Sequence, residues 1–408
     1  MITLDQSDKN FKNIIVAVYL VLMSVQLIAL EGENLSPLKV AAMMLAPFLI
    51  VFMKMKINDY RAILLSGVYL SMMVICCLVS EQGISWPRIG HRAMFLMMFI
   101  CVYGIVYNGD ISIQFIKKIL TVLLVAYGIT YAIQHVLYLF GITDLLLFNY
   151  HFQPNPYGVF KATGLSLEAS HSGRLMPLFY WGILKLTEIE TGRQIGFIQS
   201  WKQFPLLSAL FWLTMTTMGS AMAVIGCILI LVYLCRRNKV FMLAGVVSFV
   251  VLMSIDVDNS QVRRVQVVVN SMFTDNPRDV LIENELSGAT RIVPLLNMLS
   301  LDLTDKSTWI GEGNTQEITM DDIYDADFLK SQYIGDISSY GLITYLASLL
   351  FVYGCCIRKF FSMESLMFFV LTTFAIGSIY YIWFMLMLFS IVSYFSKKYS
   401  NVSNHLQK

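Results

Sequence analysis

The sequence predicts an all-α fold, a polytopic bundle of transmembrane helices, and two observations lead to this fold class. Hydrophobic residues make up 57% of the 408 positions and charged residues only 14%, whereas soluble domains average about 45–50% and about 25%. The hydrophobic residues are concentrated in repeated runs of roughly 15–22, a length that spans a bilayer as a helix. We therefore expect residues 1–408 to form a single integral membrane domain with about twelve spans.

The candidate spans follow one another with short polar breaks between them. The first run could pass for a signal peptide, but no small-x-small cleavage site precedes Glu31, so it is interpreted as an uncleaved span. Gly219 and the pair Gly377–Ser378 mark turns inside 204–235 and 364–396, two stretches that can also be divided differently. The predicted spans are 13–30, 38–53, 62–80, 93–108, 114–141, 174–188, 204–217, 219–235, 239–255, 338–357, 364–377 and 379–396.

The distribution of Lys and Arg predicts the orientation of these helices. Twelve spans place both termini on one side, and the termini together with every second loop carry 18 of the 29 basic residues. The short loops on the other side hold only Lys39, Arg88 and Arg92. Because cytoplasmic loops are enriched in Lys and Arg, both termini are expected in the cytoplasm.

Two long segments, at about 142–173 and 256–337, are then expected on the side opposite the cytoplasm. The second contains 15 of the 27 acidic residues and six basic ones. Long loops translocate regardless of their charge, so this acidity does not contradict the orientation. The second segment is the only one large enough for a small folded unit. Within it, residues 287–303 are predicted to form a short amphipathic helix that bears Arg291.

The stretch ATGLSLEASHSGRL, residues 162–175, is the first candidate for chemistry. Glu168, His171 and Arg174 recur every third residue, so on a helix they share one broad face at the outer end of the sixth span. A second interpretation is capping, with Ser166 as the N-cap, Glu168 near the positive helix end and Arg174 at the lipid headgroups. The pattern alone leaves both interpretations open.

Aromatic residues precede this stretch in FNYHFQPNPYGVFK, residues 148–161, which includes Tyr157. Aromatic rings stack on the apolar C–H surfaces of sugars, but they also anchor ordinary membrane proteins at the bilayer interface. Composition does not decide between a glycan-binding role and an anchoring role.

Three arginines of the second long segment are candidates for binding an anion. Arg263 and Arg264 lie in DVDNSQVRRVQVVV, and Arg291 lies in SGATRIVPLLNMLSLDL. A guanidinium pairs with phosphate through two parallel hydrogen bonds. The alternative is that these arginines pair with nearby acids. The stretch WIGEGNT, residues 309–315, adds a Gly-x-Gly turn that lets backbone approach a ligand closely.

Metal and cofactor sites have little support in the sequence. Asp256-x-Asp258 and the pair Asp321–Asp322 could bind a divalent cation, but such clusters are usually solvated loop faces. All seven cysteines lie in or beside apolar runs, which argues against a disulfide framework and a Cys-ligated metal. There is no Walker A motif, Rossmann glycine pattern or His-Glu-x-x-His. We therefore expect no metal and no cofactor.

Transport is also disfavoured by the placement of the ionisable residues. His135, beside Gln134, is the main ionisable group in the middle of a span. An ion-coupled carrier normally keeps acids or bases near the midplane. Chemistry or binding at the outer face is the favoured interpretation.

Four stretches, in this order, resemble the O-antigen polymerase (Wzy) family. KATGLSLEASHSG, 161–173, resembles its basic–Gly–Glu–Ser pattern at the end of an external loop, and TTMGSAMAVIGC, 216–227, resembles its Thr/Ser-rich helix start. The stretch 288–313, from GATRIVPLLNMLSL to WIGEG, resembles its arginine helix and glycine turn. DADFLKSQYIGDISSYGLITYL, 325–346, resembles the start of its following span.

The resemblance implies a metal-independent glycosyltransferase of the bacterial inner (cytoplasmic) membrane, with its active site facing the periplasm. Such a polymerase transfers a growing glycan from undecaprenyl pyrophosphate to the next lipid-linked repeat unit, in the synthesis of lipopolysaccharide O-antigen or a related surface polysaccharide. Its implied partners are the undecaprenyl-pyrophosphate-linked oligosaccharide, membrane lipid and a chain-length regulator protein, and no nucleic acid. Glu168 or His171 would be the catalytic base. The residues expected to bind pyrophosphate or glycan are Lys161, Arg174, Arg291, Arg263, Arg264 and Tyr157.

Two positions depart from the family pattern. Lys161 stands where the family usually has Arg, so phosphate would meet a point charge there in place of a guanidinium fork. Ala169 stands where the family usually has Pro.

Two other functions remain open from the sequence. An O-antigen ligase shares the architecture, but it is expected to carry a prominent His in its large external loop, and residues 256–337 contain none. A lipid-linked oligosaccharide flippase needs a charged central cavity and no large external loop, which the two long segments disfavour.

Overall fold

The structure is a computed structural model that describes residues 2–26, 37–52, 59–142, 144–145, 150–151, 160–236, 260–315 and 325–406, together with positions 240, 247, 251 and 254. These residues are helical, apart from turns and one antiparallel pairing of β1 (Asp144–Leu145) with β2 (Tyr150–His151). The chain divides into two compact units. The first comprises Met1–Asn58, Cys101–Ile255 and Trp383–Lys408, and the second comprises Asp59–Ile100 and Asp256–Ile382.

The helices are numbered in chain order. The first nine are α1 (Ile2–Ser24), α2 (Pro37–Phe52), α3 (Arg61–Val79), α4 (Trp86–Tyr107), α5 (Ile113–Leu139), α6 (Ala169–Thr191), α7 (Phe197–Gln203), α8 (Pro205–Thr217) and α9 (Ala221–Cys235). The later helices are α10 (Ser260–Ser271), α11 (Pro277–Asn284), α12 (Leu286–Asn297), α13 (Lys306–Ile310), α14 (Ala326–Ser331), α15 (Ile337–Cys355), α16 (Met363–Thr372) and α17 (Tyr380–Leu406).

Several of these helices have the length and composition of membrane spans. Over the described residues, five are long and apolar enough to cross a bilayer: Arg61–Val79, Trp86–Tyr107, Ile113–Leu139, Ile334–Cys355 and Tyr380–Ser400. Shorter apolar helices occur at Lys39–Val51, Pro205–Thr217, Ala221–Cys235 and Met363–Thr372. The fold is therefore that of a helical, multi-pass membrane protein.

Each predicted span that falls on described residues overlaps a helix, but several boundaries differ from the prediction. Helix α1 ends at Ser24 instead of residue 30, and α4 begins at Trp86 instead of residue 93. The turn at Gly219, with φ of 67°, separates α8 from α9 as predicted. Most of the predicted span 239–255 lies outside the described residues.

Helix α6 is the central helix of the first unit. Its buried residues include Phe179, Tyr180 and Trp181, each fully inaccessible to solvent. It ends at Gly192, whose φ of 68° is the left-handed conformation typical of a residue after a helix. A helix buried on nearly all sides must be surrounded by other helices, so α6 positions whatever side chains stand at its two ends.

Helices α6 and α9 approach closely because two glycines lie at their crossing. A Cβ added to Gly226 would lie 2.4 Å from Cγ of Pro177, 2.8 Å from Cε of Met215 and 2.9 Å from the carbonyl oxygen of Gly173. The proline ring and the backbone oxygen cannot rotate away. Small residues at such crossings are a common way for membrane helices to pack.

We expect Gly226→Ala to lower the stability of the first unit. Forcing a methyl group into a packed interface costs about 1–3 kcal/mol, which outweighs the better helix propensity of Ala. Thermal unfolding of the purified protein in detergent measures the effect. Gly67→Ala is the matched control, because nothing lies within 4 Å of the Cβ position at Gly67 in α3. Equal midpoints for the two variants would contradict the crossing described here.

In the second unit, the described residues of the second long segment form the short helices α10–α14. Helices α11, α12 and α14 share a core of fully buried side chains, namely Leu281, Ala289, Val293 and Leu329. The buried side chain of Asn297 ties α12 to the end of α14, since its Nδ2 donates to the carbonyl oxygens of Leu329 and Lys330 at 3.2 and 3.1 Å. The predicted amphipathic helix over 287–303 is observed as α12, followed by a 3₁₀ turn at Met298–Ser300.

Candidate functional site

The backbone that leads into α6, residues 160–168 (the pre-α6 segment), is held by a side chain of α5. Gln134 is fully buried, and its Oε1 accepts hydrogen bonds from the amides of Thr163 at 3.0 Å and Gly164 at 2.8 Å. Its Nε2 donates to the carbonyl oxygen of Gly164 at 3.0 Å. Gly164 has φ of 62°, and a Cβ there would lie 3.0 Å from Cδ1 of Tyr127. Glycine is required because both the conformation and the space exclude a side chain.

The end of α1 and a tyrosine of α5 complete this attachment. The amide of Gln26 donates to the carbonyl oxygen of Leu165, and Oε1 of Gln26 accepts from the amide of Leu167, each at 2.8 Å. The hydroxyl of Tyr127 lies 2.9 Å from Oγ of Ser166, which is fully buried. Ser166 therefore does not cap α6, and the capping interpretation of that residue is wrong. Its hydroxyl is used for contact with α5.

The acid of the candidate triad stands just outside the helix. Helix α6 begins at Ala169, and Glu168 is its N-cap residue with extended backbone and no side-chain capping bond. The exposed carboxylate accepts a hydrogen bond from Oγ of Ser170 at 2.9 Å. The expectation that Glu168, His171 and Arg174 share one helical face is wrong for Glu168, because the helix starts one residue after it. The carboxylate instead projects from the loop at the same helix end.

The imidazole and the guanidinium occupy the first two turns of α6. His171 is half-buried, and Arg174 is 7% exposed. Between them, a Cβ on Gly173 would lie 2.8 Å from the amide nitrogen of Ala223 in the first turn of α9. Helix N-termini carry partial positive charge. The start of α6, the start of α9 and Arg174 thus combine into an electropositive region at this end of the first unit.

A row of aromatic rings lies beside the pre-α6 segment. Phe160 stacks on Tyr138 at 4.3 Å with an interplanar angle of 5°, and it meets the edge of His135 at 5.1 Å. His135 in turn lies 4.3 Å from the ring of Tyr131. Tyr131, His135 and Tyr138 are spaced four and three residues apart on α5, a helical spacing that could have revealed this row in the sequence. The row ends next to Lys161, which is half-buried.

The arginines of the second long segment have different surroundings. Arg264 donates from Nε and Nη2 to Oε1 of Glu285 at 2.9 and 2.5 Å, so its pairing with a nearby acid is confirmed. Arg263 is exposed. Arg291 is half-buried on α12, and its Nη1 donates to the carbonyl oxygen and to Oγ of Ser287 at 2.9 and 3.0 Å.

The Gly-x-Gly turn contacts other backbone segments of the second unit. Gly311 has φ of 73°, and a Cβ there would lie 2.5 Å from the carbonyl carbon of Ser339. Gly313 has φ of 112°, and a Cβ there would lie 2.7 Å from the carbonyl oxygen of Gly83. The space that was expected to admit a ligand is therefore filled by other backbone segments of the chain. The two glycines are required by this packing, and a ligand is not needed to explain them.

Two acids of the second long segment are fixed by their own turns. Thr304 donates its hydroxyl to Asp302 at 2.6 Å, and Ser307 donates its hydroxyl to Asp305 at 2.6 Å. These side-chain bonds, with backbone bonds from the same residues, lower the pKa of Asp302 and of Asp305. A carboxylate whose pKa is lowered in the folded protein stabilises the fold at pH values above its ordinary pKa. This stabilisation is lost as the pH falls through the lowered pKa. Such carboxylates are weak proton acceptors, which makes them poor candidates for a base.

Some predicted site residues cannot be placed. Tyr157 lies outside the described residues, as do Asp256, Asp258 and the pair Asp321–Asp322. Over the part of the chain that the structure describes, no three His, Cys, Asp or Glu residues are grouped in a way that could hold a metal ion. All seven cysteines are free thiols.

Sequence reasoning missed two ion pairs that involve buried charges. Arg92 pairs with Asp336 in the second unit, and Arg236 pairs with Glu188 at the far end of α6. Hydropathy alone assigns Arg92 to a short loop, and it gives no sign of a partner as distant along the chain as Asp336 or Glu188.

The predicted site residues fall into two groups. Lys161, Glu168, His171 and Arg174 belong to the first unit, the first two within the attached pre-α6 segment and the last two in the first turns of α6. Arg263, Arg264 and Arg291 belong to the second unit. Comparison of the chain with protein-family models, with curated proteins and with solved structures finds no match.

Proposed function

We propose that the protein polymerises lipid-linked polysaccharide repeat units at the outer face of the bacterial inner membrane. The observation that carries this proposal is the group of a carboxylate, an imidazole and a buried guanidinium at one end of α6. We also propose that the chain spans the bilayer about twelve times with both termini in the cytoplasm. That topology places this end of α6 at the periplasmic surface, where a lipid-linked pyrophosphate would lie.

The chemistry of the proposed reaction matches these groups. The hydroxyl of the acceptor sugar attacks the anomeric carbon of the donor glycan, a new glycosidic bond forms, and the bond to lipid pyrophosphate breaks. A base must take the proton of the attacking hydroxyl, and Glu168 or His171 can accept it. The leaving pyrophosphate gains negative charge, which Arg174 and Lys161 can stabilise from fixed positions. The positive ends of α6 and α9 add to that stabilisation.

The arginines of the second unit differ in their fitness for such a role. Arg291 is held on α12 by Ser287 through Nη1, so its guanidinium is oriented. Arg263 is exposed, which suits a weaker contact. Arg264 is already engaged by Glu285, so we remove it from the set of proposed phosphate ligands.

The alternatives are a ligase and a flippase. A ligase would join the finished glycan to lipid A core, and the absence of His from residues 256–337 disfavours it. A flippase would move the lipid-linked unit without making a bond. The folded helices α10–α14 of the second long segment disfavour it, since a flippase has no need of a large external unit.

Deleting the gene in its host and separating the surface polysaccharide by size tests this proposal. We expect the deletion to leave core capped with a single repeat, because the ligase can still attach one unpolymerised repeat. Wild-type protein should restore the full ladder. Loss of every repeat from the core would instead indicate a ligase or a flippase, and an unchanged ladder would exclude all three functions.

Point variants connect this assay to the site. We expect Arg174→Gln to remove the ladder, and Arg291→Ala to shorten or remove it, at membrane protein levels equal to the wild type. Arg193→Gln is the matched control, because Arg193 is exposed beyond the other end of α6. A full ladder from Arg174→Gln would show that the site is assigned wrongly even if the deletion behaves as expected.

A further inference from the structure

Arg92 is a buried cation that the proposed reaction does not use. It lies in the second turn of α4, in an apolar helix long enough to span a bilayer, and its side chain is 5% exposed. Nη1 donates to the carbonyl oxygen of Ile376 at 2.8 Å and lies 3.5 Å from the hydroxyl of Tyr69. Nη2 donates to Oδ2 of Asp336 at 2.5 Å. A buried guanidinium needs a counter-ion, because desolvation of an unpaired charge is costly.

The counter-ion is held less securely than the cation. The side chain of Asp336 is 45% exposed, so one face of the carboxylate remains in contact with solvent. Its backbone has φ of 58°, directly after Gly335 with φ of 68°. A left-handed conformation is uncommon for residues other than glycine and costs free energy. The chain therefore strains its backbone to bring this carboxylate to Arg92.

The pairing also leaves part of the guanidinium unused. Asp336 is bonded through Nη2 alone, and Nε of Arg92 donates to none of the residues that the structure describes. The Nε and Nη2 edge of an arginine is the fork that binds two oxygens of a phosphate or carboxylate side by side.

We propose that Arg92 binds an oxyanion of the phosphate class and that Asp336 is its built-in competitor. An arriving phosphate or pyrophosphate group takes two bonds from the Nε and Nη2 edge and displaces the single bond to Asp336. Displacement also releases the left-handed turn at Gly335–Asp336, which lies at the start of α15. No covalent bond changes in this exchange. The inference goes beyond the proposed function and does not depend on it.

Binding of inorganic pyrophosphate to the purified full-length protein in detergent, at constant ionic strength, tests the proposal. If Asp336 occupies Arg92 for about nine-tenths of the time, Asp336→Asn should lower the apparent Kd about tenfold. Arg92→Gln should remove one bound pyrophosphate, also when it is combined with Asp336→Asn, and it should leave the separate site proposed at the start of α6. Glu285→Gln is the matched control, because Glu285 pairs with Arg264 in the same unit and its loss should leave pyrophosphate binding at Arg92 unchanged.

If the pair of Arg92 and Asp336 only stabilises the fold, the binding experiment gives a different result. In that case Asp336→Asn would gain no affinity for pyrophosphate, and a number of bound pyrophosphates that is unchanged in Arg92→Gln would equally overturn the proposal. Asp336→Gly guards against misfolding, since glycine adopts the left-handed turn without strain and should also bind about tenfold more tightly.

Two preparations distinguish a free anion from a lipid headgroup. Thermal unfolding is compared in phosphatidylcholine bilayer discs with added pyrophosphate, and in discs that contain phosphatidic acid without it. A stabilisation by either anion that is larger in wild type than in Arg92→Gln supports the site and identifies its source. Equal stabilisation of the two proteins, or stabilisation by neither anion, overturns the proposal.

Discussion

Arg236→Met is expected to cause the largest loss of stability of any single substitution proposed for this protein. Glu188 is 8% exposed, and Nη2 of Arg236 donates to both of its carboxylate oxygens at 2.6 and 2.7 Å. Glu188 lies in the last turn of α6, where the helix dipole is negative and disfavours an anion. Removing the cation leaves that carboxylate buried without its counter-ion, which costs about 3–5 kcal/mol.

The other contacts of this cluster cannot replace the guanidinium. The hydroxyl of Tyr233 and the amide of Ile195 each donate to Glu188 at 2.7 Å, but neither carries a charge. Burial lowers the pKa of Arg236, whereas Tyr233 and Glu188 raise it, and the net direction is upward. Arg236 therefore stays charged at every pH at which the protein would be handled.

Thermal unfolding in detergent, together with protein levels in the membrane, measures this loss. Lys117→Met is the control, because Lys117 and Glu190 form a more exposed pair, 22% and 25% accessible, and surface pairs contribute at most about 1 kcal/mol. The double variant Arg236→Met with Glu188→Met should recover much of the stability, since two apolar side chains replace two buried charges. If Arg236→Met unfolds no earlier than Lys117→Met, the charge on Glu188 is neutralised in some other way.

Helices were the most predictable part of this fold, because bilayer thickness fixes both their length and their apolar composition. Gly219 was predictable as a turn for a similarly local reason, since a glycine between two apolar runs ends a helix cheaply. The start of α4 was not predictable from hydropathy. Arg88, His91 and Arg92 make its first turns look like a loop, and the buried guanidinium of Arg92 is neutralised by Asp336, which is distant in the sequence.

The site was predictable in its residue types but not in its geometry. The spacing of Glu168, His171 and Arg174 points to the start of α6, yet the helix starts after Glu168. That start is set by the attachment of the pre-α6 segment to Gln134 and Tyr127, two residues of α5 that no local pattern connects with it. The same limit applies to the Gly-x-Gly turn, whose glycines are required by backbone segments elsewhere in the second unit.

Glu168→Gln and His171→Gln are expected to have the largest effect on activity if the proposed function holds. Removing a general base typically lowers a rate by about 10²–10⁴-fold. Single-turnover polymerisation with purified protein and lipid-linked repeat units measures it, with substrate binding followed separately. We expect one of the two substitutions to cause the full loss and the other a smaller one, because the reaction removes a single proton from the acceptor hydroxyl.

The double variant assigns the base. Groups that act as one unit lose little more together than the more important one loses alone. If His171 is the base and Glu168 orients it, the double variant should match His171→Gln, and the reverse assignment predicts a match with Glu168→Gln.

Ser170→Ala is the matched control, because it removes only the hydroxyl that donates to Glu168 at 2.9 Å. It should lower the rate a few-fold at most, about the value of one exposed hydrogen bond. Losses that simply multiply in the double variant would place the two residues in independent roles. Near-wild-type rates in both single variants would show that neither residue is the base and that the proton acceptor does not lie at this end of α6.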